Sequence, residues 1–137
     1  LNTTPSYTFN KKEKLKSRKL TEQLFASGKS FLVFPVKVMY LHVTELMDFP
    51  VKIGVSVSSK KYKKAVDRNR IKRVLRENYR LNKHPLIQAA KDNNQQIVAF
   101  FLYIDKALPD KTILQRKMPQ IVDKLITAIN ENTTPNT

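Results

Sequence analysis

Guanidinium and ammonium groups are the side chains of this sequence best placed to do chemistry, and they are concentrated in one stretch. From Lys60 to Arg80 the sequence KKYKKAVDRNRIKRVLRENYR holds ten cations and only two acids, Asp67 and Glu77. Arginine forks bind phosphate through paired N–H donors, so a dense, unbalanced array suits a polyanion. Asp67 is a candidate N-cap, good helix formers follow it, and no Gly or Pro intervenes before Pro85; a helix is expected from Arg68 to Leu81. At about 100° per residue, Ile71, Val74, Leu75 and Leu81 gather with Asn78 on one face, while Arg68, Asn69, Lys72, Arg73, Arg76 and Arg80 fan over roughly 140° on the other. An ordinary solvated face would pair such arginines with acids one turn away, and Glu77 can serve one or two of them.

No other constellation points to catalysis. His42 falls in an alternating segment and His84 stands beside a proline, neither with an acid at pairing distance in sequence. The eleven carboxylates are scattered singly, unlike the clustered acids of a two-metal nuclease. Gly28 and Gly54 are the only glycines, so no glycine-rich phosphate loop exists. The sequence leads us to expect no catalytic residues and no metal site in this polypeptide.

Composition bounds the partners. At 137 residues the chain suits one domain with an ordinary core, and a formal net charge of +15 with a pI near 10.1 calls for a polyanionic partner, nucleic acid first. No apolar run approaches the roughly 20 residues of a membrane span, and no basic amphipathic stretch keeps a broad apolar face free for lipid. The absence of cysteine excludes a disulfide framework, and with no secretory segment at the amino end a cytoplasmic protein is expected.

The elements that must position the arginines follow in order. Residues 1–10 are expected to be a flexible lead-in, 11–131 the folded domain, and 132–137 a flexible tail. A basic run from Lys11 to Lys19, relieved by Glu13, leads into a helix of about two turns through Thr21, Leu24 and Phe25. Gly28 is placed just past its end, where a left-handed backbone suits glycine. Phe31 to Val43 alternates as a strand, with Val36, Val38 and Tyr40 against Lys37, Met39 and Leu41. Val51 to Ser58 is a second strand, whose Gly54, Ser56 and Ser58 form a face that an extended polymer could approach closely, unless it is simply solvated. Beyond Pro85, Leu86 to Lys91 allows a further helical turn or two. Gln96 to Ile104, QIVAFFLYI, reads as a central strand covered on both sides. Thr112 to Asn130 forms a last helix in which Pro119 marks either a kink or the true first turn. The class is α+β, a single domain of one sheet with helices packed on it.

Arg68-Asn69-Arg70 followed by Ile71-Lys72-Arg73 and Arg76, preceded by Ala65-Val66 and Val55-Ser56-Val57-Ser58, resembles the signature of the protein subunit of bacterial ribonuclease P. The resemblance extends through Lys14-Leu15, Leu24-Phe25 and Gly28-Lys29-Ser30, and covers about residues 10 to 130. It implies an αβββαβα sandwich with one mixed four-stranded sheet, like the second domain of a small-subunit ribosomal protein, with a left-handed βαβ crossover. The implied partners are the catalytic RNA subunit, bound through Lys60, Lys61, Lys64, Arg68, Asn69, Arg70, Lys72, Arg73 and Arg76, and precursor tRNA. The single-stranded 5′ leader of that tRNA would be taken by Lys16, Arg18, Phe25, Lys37 and Tyr40. Catalysis would be the RNA's, with Mg2+ entering through it, no cofactor held by the protein, and no DNA, membrane or protein oligomer required. The sequence departs from the family at Lys63, where many members carry glycine in a loop that here runs one residue longer, and at Thr21, where an additional Phe is common. Without the resemblance, a ribosomal protein is the next reading, and a DNA-binding module follows, disfavoured because a strand and a lysine loop precede the arginine helix.

Overall fold

The computed structural model describes residues 8–132, and Leu1 to Tyr7 and the end of the expected tail lie outside them. A single 3₁₀ turn, Lys11–Glu13, precedes helix α1, Arg18–Ser27. Strands β1, Lys29–Val33, β2, Val36–His42, and β3, Val51–Val57, follow, then helices α2, Ala65–Asn82, and α3, His84–Asp92, strand β4, Ile97–Tyr103, and helix α4, Lys111–Asn132. The strand order is β1-β2-β4-β3, with β3 parallel to β4 and the other pairs antiparallel, a mixed sheet as expected. Phe31 to Val43 is two strands and not one: Phe34-Pro35 closes a hairpin whose register pairs Val33 with Val36 and Phe31 with Val38. Proline lacks the N–H a strand interior needs, so the break falls there.

The two faces of the sheet are built differently. Val36, Val38, Ile53, Val57, Ala99, Phe101 and Tyr103 lie on one face and are buried in a single core with Ile71, Leu75 and Tyr79 of α2, Leu86 of α3, and Leu114, Met118 and Leu125 of α4. α1 packs on the other face, against β2 and β4, and seals only part of it. There Val98 and Leu24 are buried, whereas Phe100 and Leu102 are half-covered. The continuous apolar run of β4 is therefore central in the sheet but not closed on both faces.

Helix ends explain the remaining differences from expectation. α2 begins at Ala65, three residues before the expected start, with Lys64 at the N-cap making no side-chain cap bond and Asp67 inside the first turn. A carboxylate there favours the helix through the exposed N–H groups of the first turn. Its buried stripe is Ile71, Val74, Leu75, Asn78 and Tyr79, while Leu81, about a quarter-turn from Ile71 around the axis, is exposed. Asn78 is satisfied inside the stripe by donating from Nδ2 to the Val74 carbonyl at 2.9 Å. Gly28 is the C-cap of α1, but its φ of −71° is not left-handed. Space is what requires glycine: a Cβ would stand 2.5 Å from the Leu24 carbonyl oxygen and 2.9 Å from that of Tyr40. Pro119 lies inside α4, more than two turns beyond its start, at an exposed position where water can take the carbonyl it leaves unbonded.

Candidate nucleic-acid interface

α2 presents its cations on an 18-residue rod about 27 Å long. Asn69, Arg70, Arg73 and Arg76 are exposed and Lys72 is half-buried, and none of the four cations forms an ion pair among the described residues. Arg68 differs. Its Nη1 donates to the Tyr62 and Lys63 carbonyls at 2.8 and 2.9 Å, so it braces the lysine loop that precedes the helix. Lys61 is likewise engaged, donating to the Ile104 carbonyl at 2.5 Å, and the Tyr62 hydroxyl donates to the Asp105 carbonyl at 2.8 Å. Burial raises the Tyr62 phenol above its ordinary range, with Asp105 and Asp67 adding to the shift. These bonds fasten the loop to the carboxyl end of β4, leaving Lys60 and Lys64 exposed on its outer side.

A second feature borders the rod. Phe9, Lys14, Arg73, Arg76, Glu77 and Arg80 line a groove of about 490 Å³. The Phe9 ring meets Tyr79 edge-on with centroids 5.5 Å apart, and the Lys14 ammonium lies 5.6 Å from the Phe9 centroid. The segment is held by a buried ion pair: Lys83 Nζ donates to Glu13 Oε1 at 2.6 Å and also to the Thr8 carbonyl. Glu13 Oε2 accepts the Asn10 N–H at 3.2 Å. The part of the expected lead-in that falls within the described residues, Thr8 to Asn10, is thus fixed against α2. Beyond Glu13 the Leu15 N–H donates to the Ile53 carbonyl at 3.0 Å, so the strap crosses the open edge of β3 and delivers Lys16 and Arg18 to the opposite side of the sheet.

On that side α1 and the sheet form a cleft. Phe25, 54% exposed, meets the Phe100 ring edge-on with centroids 5.3 Å apart. Phe100 lies against Gly54, where a Cβ would come within 2.4 Å of the ring. The small face of β3 therefore admits an aromatic platform, and Ser56, Met39 and Lys37 extend it. Tyr40, the aromatic expected beside Phe25, is on the other face, tilted against Phe31 at 5.9 Å and edge-on to His42 at 6.1 Å. Alternation decides this, since Tyr40 shares its side of β2 with Val36 and Val38. Thr21, in place of a second helix aromatic, uses its hydroxyl to bond the Ser17 carbonyl at 2.8 Å. β4 supplies the missing ring.

The structure thus brings Lys60, Lys64, Asn69, Arg70, Lys72, Arg73 and Arg76 together on the α2 side, and Phe25 and Lys37 to the cleft with Lys16 and Arg18 at its approach. Sequence reasoning missed Phe100, the Phe9–Lys14 strap and the Glu13–Lys83 pair. Phe100 is identified by register: paired across from both Gly54 and Met39, it points away from the core that Phe101 fills.

The Ribonuclease P family model matches residues 9–126. The chain belongs to the ribonuclease P protein family. The ribonuclease P protein component of Porphyromonas gingivalis strain W83 is 35% identical over 114 residues, 83% of each chain. That of Idiomarina loihiensis is 51% identical over 57 residues, 38% of this chain and 45% of its own. The ribonuclease P protein of Staphylococcus aureus has the same fold, with a TM-score of 0.66 at 21% identity over 83% of this chain and 95% of its own. The Thermotoga maritima protein agrees at a TM-score of 0.61, 23% identity, over 82% and 96%. As a ribonuclease P protein component, the chain is a subunit of an endoribonuclease ribonucleoprotein that acts in tRNA processing. No helix among the described residues is long and apolar enough to cross a membrane.

Proposed function

We propose that this ribonuclease P protein divides its work between two surfaces. The outer face of α2, with Lys60 and Lys64 beside it, binds the catalytic RNA subunit: Arg70, Lys72, Arg73 and Arg76 neutralise phosphates where strands of folded RNA crowd together, and Asn69 adds a neutral donor and acceptor. The α1–sheet cleft takes the unpaired 5′ leader of precursor tRNA, with bases stacking on Phe25 and Phe100 and Lys16, Arg18 and Lys37 following the backbone. Stacking suits every base, so the leader is selected for being single-stranded rather than for its sequence. Arg68 and Lys61 act one step back, by holding the lysine loop in place.

In this reading hydrolysis is performed by the RNA subunit with its magnesium, in the cytoplasm, and the protein contributes affinity and position. The observation that supports it most is the uneven covering of the sheet: one face is closed by three helices, while on the other Phe25 is exposed and Phe100 half-covered, with Lys37 exposed on the same face. Cleavage of a 5′-extended precursor tRNA by the catalytic RNA at low magnesium, with and without the protein, tests it. The protein should restore cleavage at the mature 5′ end, and less so as the leader is trimmed. Stimulation that ignores leader length would remove the cleft from the mechanism.

A further inference from the structure

Three large apolar side chains stand exposed around the open half of the sheet: Phe25 at 54%, Leu32 at 56% and Phe34 at 54%. Leu32 is directly opposite Lys37, Lys37 opposite Leu102, and Leu102 opposite Ser56, so this row shares the face that carries Phe100 and Gly54. No element among the described residues seals the row: Leu32 and Lys37 are exposed, and Leu102 and Ser56 half-buried. Phe34 follows at the β1–β2 hairpin, roughly 10–13 Å along the strand direction from Met39, the residue opposite Phe100. Single exposed apolar residues need no explanation, but Leu32 carries the open face as far as the hairpin, and Phe34 stands exposed at that end of it.

We propose that the single-stranded track does not end at α1, and that Phe34, with Leu32 and Lys37, forms a second stacking station for the leader. Charge selects this occupant. A second copy of the chain would bring a further +15 to the interface, whereas RNA offers flat apolar bases for Phe34 and Leu32 and phosphates for Lys37. At roughly 10–13 Å the two stations are about two to four nucleotides apart, so they engage at different leader lengths. The inference rests on the leader reading of the cleft and adds to it a longer track.

The test uses the assembled holoenzyme and precursor tRNAs whose leaders are trimmed one nucleotide at a time. Phe25→Ala and Phe34→Ala should each weaken binding roughly tenfold, the effect expected of one lost base stack, with onsets at different leader lengths. Mature tRNA should bind all variants alike. Phe34→Trp introduces the only tryptophan of a chain that has none, and its fluorescence should be quenched by long-leader substrate and not by mature tRNA. If Phe25→Ala responds and Phe34→Ala is silent at every length, with no quenching of Phe34→Trp, the track stops at α1 and the proposal fails alone. If neither variant responds, the cleft reading fails with it. If Phe34→Ala weakens mature tRNA or RNA-subunit binding equally, the hairpin meets another partner surface and the leader station is overturned.

Discussion

The outward face of α2 and the open face of the sheet both suit RNA, yet they are made by opposite means. α2 is a local object: its charges follow from helical period, project on long side chains, and, for Arg70, Lys72, Arg73 and Arg76, meet no carboxylate among the described residues. The cleft is a tertiary object. It exists because Gly54 lets Phe100 lie against β3, because α1 stops short of the Leu102 row, and because β4 pairs between β2 and β3. The first should act through charge and respond to salt; the second should act through shape and stacking and respond to leader structure.

The strap from Phe9 to Leu15 joins the two regions, and breaking its anchor should give the largest effect. Lys83→Met leaves Glu13 buried without its cation, which costs about 3–5 kcal/mol. Denaturant unfolding should show that destabilisation, and both RNA-subunit assembly and leader affinity should fall together. Adding Glu13→Gln should recover part of the stability, because the stranded charge is removed.

Separating the regions is the next step. Arg73→Ala with Arg76→Ala should weaken assembly and lower the slope of log affinity against log salt by about 0.7–0.9 for each phosphate no longer neutralised, leaving the preference for leader-bearing over mature tRNA intact. Arg68→Ala is a poorer probe of RNA binding, since it also releases the Tyr62 and Lys63 carbonyls. Phe25→Ala should do the reverse: leader preference should drop by about 1–3 kcal/mol with the assembly salt slope unchanged.

Smaller effects sharpen the contrast. Gly54→Ala drives a methyl into the Phe100 ring, so it should lower stability by about 1 kcal/mol and erode leader preference through the displaced platform. His42 lies on the helix-packed face, and burial first, then the Lys29 charge, holds its imidazole below the ordinary 6.5. The unfolded chain therefore takes up the proton first as pH falls, so stability present above pH 6.5 should decline through and below it. His42→Phe should flatten that decline in thermal unfolding while leaving leader preference unchanged, since neither RNA surface contains a histidine.

The contrast also explains what could be read without a structure. Arg73, Arg76 and Lys72 were legible because a 3.6-residue period and an acid-poor stretch are properties of neighbours in sequence. Ala65 in place of Arg68 as the start is an error of boundary, where propensity changes little from residue to residue, whereas Tyr79 in place of Leu81 on the buried stripe is an error of face, both residues lying inside the helix. Phe100 and Tyr40 required register. Alternation separates two faces of a strand but does not say which one a helix will cover, and the apolar run of β4 concealed a half-open side. Glu13 and Lys83, seventy residues apart, each looked like a member of a charged surface. The hairpin at Pro35 was legible in principle from the proline alone.

The central claim is that the two surfaces are separable, and parallel titration of the assembled holoenzymes tests it most directly. Leader-bearing and mature tRNA would be bound to the unmodified form, to the Arg73→Ala/Arg76→Ala form at protein concentrations that saturate assembly, and to the Phe25→Ala form. The account predicts that the arginine variant, once assembled, keeps the full preference for the leader, and that the Phe25 variant assembles normally and loses roughly tenfold of it. An equal drop in preference in both variants would contradict it, and would mean that α2 and the cleft form one continuous site.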